Sequence, residues 1–196
     1  MSRIRLVLPA IFATAALSAP AAAAPTGPAA TPFCRGANAM PTASDSALMR
    51  SATLCLLNRQ RARFGLPRLH AQRSLTHAAR TYAVAMVRQS FFAHVSPNGS
   101  TMAQRIKRTR YLHGVRGWVI GENLAWGTGS AATPAEIVDA WMHSPPHRRN
   151  ILDPSFREIG IGVAQGAPSR VFAAGRAGTY ATEFGRRGLQ HAPRRR

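Results

Sequence analysis

The chain has 196 residues and a formal charge of +19, from 26 Lys and Arg against 7 Asp and Glu. That length suits one domain with its own core. No apolar run reaches the about 20 residues of a membrane helix, which excludes a helical transmembrane protein. All but one of the basic residues are Arg, and a field of that sign favours anionic partners such as nucleic acid, acidic lipid headgroups or anionic cell-wall polymer. Ala, Arg, Gly and Pro dominate the whole chain, however, so composition alone weakens any purpose read into the charge.

The N-terminus predicts export. Arg3 and Arg5 form a basic head, the run from Ile4 to Leu17 is mainly apolar, and Ala21 to Ala24 offer small-residue cleavage sites. Together these read as a secretory signal peptide over residues 1–24. Its removal takes two positive charges with it and leaves a soluble, secreted chain, read as a monomer. Residues 25–43 are rich in Pro, Ala and Thr and read as an extension. The folded domain is expected over 44–185, followed by an Arg-rich tail over 186–196. Cys34 and Cys55 are the two cysteines, and an even count in an oxidising compartment predicts a disulfide pinning the extension to the first helix. That pairing removes both sulfurs as nucleophiles.

Asp45 is a candidate N-cap for a helix running to about Phe64, with Leu48, Leu54, Cys55 and Leu57 in its apolar stripe. Gly65 and Pro67 end it. A second helix is predicted from Ser74 to about Ser90, with Leu75, Ala78, Ala79, Tyr82, Ala85 and Met86 on one face. Ser96-Pro97-Asn98-Gly99 reads as a turn, after which Ser100 caps a third helix to about Tyr111. The Gly-punctuated stretch from Val115 to Gly129 reads as a loop or short strand. Thr133-Pro134-Ala135-Glu136 is a helix start with a capping box, and Pro145-Pro146 terminates that helix. Strands are predicted at Glu158–Ala164, Val171–Ala174 and Thr179–Phe184. Helices first and strands later, without βαβ alternation, predict an α+β fold.

Several segments resemble, in order, the bacterial branch of the CAP superfamily, the SCP-like extracellular proteins. Leu57-Asn58-Arg59-Gln60-Arg61-Ala62-Arg63-Phe64-Gly65-Leu66 resembles its opening helix, and Ser90-Phe91-Phe92-Ala93-His94-Val95-Ser96-Pro97 its first histidine motif. Gly121-Glu122-Asn123-Leu124-Ala125 resembles the central Gly-Glu-Asn motif. The run Trp141-Met142-His143-Ser144-Pro145-Pro146-His147-Arg148-Arg149-Asn150-Ile151-Leu152 resembles the second histidine motif. The strand Ile159 to Val163 and the segment Tyr180 to Gly185 complete the pattern.

This resemblance implies a three-layer αβα sandwich with a mainly antiparallel sheet, and a ligand cleft formed by His94, Glu122, Asn123 and His147. It also implies a candidate metal set of His94, His147 and Glu122, since zinc accepts two imidazoles and a carboxylate with an open fourth position. Their wide sequence separation would not by itself propose a metal site. The second glutamate of many eukaryotic relatives has no counterpart before His147, where Ser144 or its neighbour stands. Each residue also has a purely structural reading: His94 as a loop anchor, Glu122 paired with Arg148, and Asn150 satisfying turn backbone. His113 and His143 read as surface residues, and His70 and His77 as decoration of the first two helices.

Three functions follow as expectations. The first is a secreted or envelope-associated protein binding a ligand, with zinc or another divalent ion, in the cleft. The second is a metal-assisted hydrolase with Glu122 or a metal-bound water as base. The third is an electrostatic binder of anionic lipid or cell-wall polymer through Arg105, Lys107, Arg108, Arg110 and the basic tail. No Gly-x-Ser-x-Gly elbow supports serine hydrolysis, and no motif supports sequence-specific nucleic-acid recognition.

Overall fold

In a computed structural model, the described residues are 33–42, 46–169 and 176–188. The signal peptide, residues 25–32 and 43 of the extension, the Asp45 cap, the strand expected at Val171–Ala174 and the tail beyond 188 lie outside them. The elements are α1 (Ser46–Arg63), β1 (His70–Ala71), α2 (Arg73–Arg88), α3 (Met102–Arg108), β2 (Trp118–Thr128), α4 (Pro134–His143), α5 (Pro145–Leu152), β3 (Glu158–Gln165) and β4 (Ala177–Arg187). The strands form one sheet in the order β1-β3-β4-β2. The pairs β3·β4 and β2·β4 are antiparallel, while two-residue β1 runs parallel to β3. The mixed α+β class expected from the sequence is therefore present, with one short parallel pairing added.

Alternation along β3 explains the layering. Ile159, Ile161 and Val163 join Met49 and Leu57 of α1, Ile137, Val138 and Trp141 of α4 and Ile151 of α5 in one core. On the other face Gly160 and Gly162 carry no side chain. A Cβ at either would fall inside the α2 backbone at Leu75 or Ala79. The helix therefore lies directly on the strand. Further along this face, Ala79, Tyr82, Ala83 and Met86 of α2 pack on Leu124, Ala164 and Ala181. The result is α1, α4 and α5 on one side of the sheet and α2 on the other, held by apolar burial on both faces.

Polar side chains of the opening-helix motif fasten the layers. Asn58 donates Nδ2–H to the Leu69 carbonyl and accepts from the Leu69 amide at 2.7 Å, steering the chain from α1 toward β1. Arg61, fully buried, donates to the carbonyls of Pro67, Ile151, Asp153 and Phe156. Those acceptors include the C-terminal end of α5, whose carbonyls would otherwise lack partners. Cys34 and Cys55 form the expected disulfide, tying residues 33–42 to α1.

Several local expectations change. Of the loop or short strand expected over 115–129, the strand is present and is long, 11 residues over 118–128, with its glycines as close-packing points. A Cβ at Gly121 would press on Phe156 and Asn150, and one at Gly127 on the Ala131 backbone. Pro145-Pro146 ends α4 but also opens α5, since proline fits a first helical turn. The cap of α3 is Thr101, not Ser100, in a reciprocal capping box with Gln104. His70 belongs to β1 rather than to a helix.

Candidate functional site

The site straddles the edge strand β2, whose alternation sends Glu122 to the α2/α3 side and Asn123 to the α4/α5 side. Each neighbour then seats one histidine.

On the first side, His94 lies in the loop between α2 and α3. The Tyr82 hydroxyl donates to the Ala93 carbonyl, and Arg105 donates to the His94 carbonyl at 3.1 Å, so the loop backbone is held on both sides of the ring's attachment. The His94 Nδ1 meets Glu122 Oε1 at 2.7 Å. Arg105 Nη2 takes the other oxygen, Oε2, at 2.5 Å. The Glu122 and Arg105 side chains are 3% and 8% exposed, whereas His94 is 60% exposed, so a buried ion pair supports an open imidazole. The Arg105 guanidinium also lies on the Tyr82 ring, 3.3 Å from its centroid, a cation–π contact shielded from water.

On the second side, His147 is the third residue of α5. Its Nδ1 shares a hydrogen bond with Ser144 Oγ at 2.8 Å. Asn123 donates to the His147 carbonyl at 3.0 Å. Asn150 donates both to the Glu122 carbonyl and to Asn123 Oδ1, so the two asparagines cross-link α5 to β2. Trp141 completes the join through Nε1–H to the Leu124 carbonyl.

The two imidazoles differ in electrostatic setting. The hydrogen bond to Glu122 holds His94 above the ordinary histidine value of 6.5 against the opposing effect of burial. Burial, aided by the charge of His94, pushes His147 below it. His94 therefore holds its proton more tightly than His147 does.

A second carboxyl reaches this site from an unexpected direction. Glu183 on β4 is the register partner of Glu122 and is fully buried. Among the described residues, neither of its oxygens meets an N–H or O–H donor. Burial, with the nearby Glu122 adding to it, raises its pKa well above the carboxylate range. Two ionised carboxylates offer each other nothing. With Glu183 protonated, its O–H becomes a donor to Glu122.

All four cleft residues expected from the sequence are thus brought together, but as a hydrogen-bonded assembly. Both Glu122 oxygens are committed, and among the described residues no group of three or more His, Cys, Asp or Glu is arranged to hold a metal ion. The three-ligand set with Glu122 does not fit this arrangement, which leaves the second nitrogens of the two imidazoles. Arg148 is not the partner of Glu122; it lies over the Phe64 ring at 5.3 Å. Arg105, expected on a basic outer face, is buried under the site, while Lys107, Arg108 and Arg110 are exposed. Asn150 serves the site rather than a turn. The missed signals were Arg105 sharing the Met102 and Ile106 stripe of α3, and Glu183 lying in a strand without polar alternation.

An αβα sandwich with paired histidines over a Gly-Glu-Asn strand defines a class, and sequence comparison agrees with it. The profile of the cysteine-rich secretory protein family, CAP, matches residues 54–180, and the chain belongs to that family. It is 36% identical over 110 residues to the uncharacterized protein YkwD of Bacillus subtilis, a match covering 56% of this chain and 40% of YkwD. The fold is similar to an extracellular SCP-domain protein of Bacillus anthracis, with a TM-score of 0.57 and 23% identity over 74% of this chain and 44% of that one. It is also similar to an outer surface protein of Borrelia burgdorferi, with a TM-score of 0.53 and 22% identity over 67% and 86% of the two chains. The match therefore spans less than half of YkwD and of the Bacillus anthracis chain.

Proposed function

We propose that this CAP domain is an exported, envelope-associated or extracellular binding protein whose ligand is held between His94 and His147. The observation that carries the reading is the separate seating of the two imidazoles. Each is fixed by its own layer, His94 is mostly exposed, and both are held from beneath by hydrogen-bonded side chains of the sheet and helices. Such pre-organisation suits recognition, because the donors need not be ordered on binding. Export is supported by the N-terminal signal-peptide pattern and by relatives described as extracellular or outer-surface proteins. A divalent ion, zinc first, enters the proposal as a ligand of the two imidazoles, with Glu122 remaining on Arg105.

The test is binding of mature wild type and of a His94→Ala/His147→Ala variant to fractionated envelope material and to zinc. Ligand retention by the wild type alone supports the cleft. Equal retention by both proteins that disappears with added salt would replace it with electrostatic surface binding through Lys107, Arg108 and Arg110.

The opposed proton affinities of His94 and His147 favour a second reading, acid–base hydrolysis with His147 as base and His94 as acid. Glu122, with both oxygens engaged, is the positioning group in that scheme rather than the base. Turnover of a model ester or glycoside that rises with deprotonation of His147 and fails in either single histidine variant would establish it.

A further inference from the structure

Beside the histidine cleft lies a separate pocket of about 290 Å³, bounded by α2, the 96–100 turn and α3. None of His94, Glu122, Asn123 and His147 lines it. Its shape comes from the α2 sequence. Ala78, Thr81 and Ala85 recur at helical spacing among His77, Tyr82 and Gln89, and these three small side chains leave the space on the α2 side. Tyr82 and Phe91, edge to face at 5.9 Å, supply an aromatic wall.

The opposite wall is polar, cationic and rigidly built. The Ser96 amide donates to the Ser100 carbonyl and the Ser100 amide to Asn98 Oδ1, which fixes the turn. Arg105 donates to the same Ser100 carbonyl at 3.0 Å, and Arg108 donates to Ser100 Oγ at 2.9 Å, so the turn and α3 are tied together. Arg108 is exposed yet held at the pocket by that bond rather than extended into water. No Asp or Glu is among the lining residues. A neutral apolar guest would leave the guanidinium without a counter-charge, and an inorganic anion alone would leave the aromatic wall uncovered.

We propose that this pocket binds a small amphipathic anion. The ligand has an aromatic or short-chain body against Ala78, Tyr82, Ala85 and Phe91 and a single carboxylate or phosphate on Arg108. The volume of about 290 Å³ lies just below the usual ligand-pocket range of about 300–1,000 Å³, which limits the body to about one ring or its equivalent. Size and charge together select the class. A charge-assisted contact to a planar guanidinium favours an oxyanion head, and the aromatic pair favours a flat body.

The experiment titrates isotope-labelled mature protein with phenylacetate, phenyl phosphate and benzyl alcohol, following amide and aromatic NMR signals. Saturable shifts should map to α2, the 96–100 turn and α3, with the better of the two anions at least about tenfold tighter than the alcohol. Which anion is preferred distinguishes a carboxylate from a phosphate ligand. Thr81→Trp, at an exposed helix position, should fill the pocket and abolish the shifts, and Ala85→Leu should weaken them. Arg108→Gln should weaken the anion about tenfold and leave the alcohol unchanged, while His94→Ala/His147→Ala should bind as wild type. Equal affinity for alcohol and anions, unchanged binding in a folded Thr81→Trp protein, or shifts mapping to the two histidines would each overturn the proposal.

Discussion

Glu122 and Glu183 are register partners across the β2–β4 ladder, both buried, with Arg105 bonded to the first and neither N–H nor O–H donated to the second. One guanidinium beside two carboxyl groups leaves Glu183 as the member that keeps its proton. A folded-state pKa raised above the ordinary carboxylate value means that the associated stability is full below that value. It declines as pH rises through the folded pKa. Glu183→Gln supplies an amide N–H to Glu122 without needing a proton. The variant should gain on wild type in denaturant stability as pH rises from 5 to 8. An unchanged difference at the two pH values would show that Glu183 is ionised in the folded protein as in the unfolded one, with no raised pKa.

The histidines should separate in an imidazole NMR titration. His94 should titrate above 6.5 and His147 below it. The signs for stability are opposite. The His94–Glu122 contribution is complete below 6.5 and lost as pH rises through the folded value. The buried neutral state of His147 contributes above 6.5 and is lost as pH falls through its folded value. His94→Asn should therefore remove its own share of the alkaline limb, leaving that of Glu183, and His147→Asn its own share of the acidic limb.

Arg105 should behave as a site residue and not as surface charge. Arg105→Met leaves Glu122 and Glu183 without their cation and should cost about 3–5 kcal/mol of stability, the usual penalty for breaking one side of a buried pair. The same change should raise the His94 pKa, since a nearby positive charge is lost while the hydrogen bond to Glu122 persists. Glu122→Gln should move it the opposite way. Lys107→Gln and Arg110→Gln should leave thermal stability within about 0.5 kcal/mol of wild type.

Arg61→Met should destabilise by about 3 kcal/mol, because several buried carbonyls lose their donor at once. The more telling readout is His147, which rides on α5. Its imidazole signals should broaden in the variant while those of His94 stay sharp. Sharp signals from both rings would mean that the two asparagines alone position α5.

Removing the disulfide with Cys34→Ser/Cys55→Ser should lower stability by about 3 kcal/mol, as expected for a closed loop of this size. The histidine titrations should be unaffected, because the bond ties residues 33–42 to α1 and touches neither ring.

Periodicity made the helices legible because their buried faces repeat at three and four residues, as in Leu75, Ala78, Ala79, Tyr82 and Met86. Motif order singled out His94, Glu122, Asn123 and His147, which the hydrogen bonds link through β2 and α5. The rest was hidden in packing that local pattern does not encode. Glycine at 121 and 127 argues against a strand until Phe156 and the Ala131 backbone are seen to need the space. Arg105 looks solvated by residue type, and only its position beside Ile106 indicates otherwise. Glu183 became a partner of Glu122 through a strand register that joins residues 61 positions apart.

The carbonyls of Glu122 and Leu124 carry one further consequence. They belong to the outermost strand of the sheet, and they are already occupied by Asn150 and Trp141. An open strand edge is a template on which a stray chain can add by backbone pairing, the first step of fibrous aggregation. Here two carbonyls at the middle of that edge are taken by an amide and an indole, and the opposite edge is a strand of two residues. The side chains that seat the second histidine thereby guard the sheet against its own neighbours.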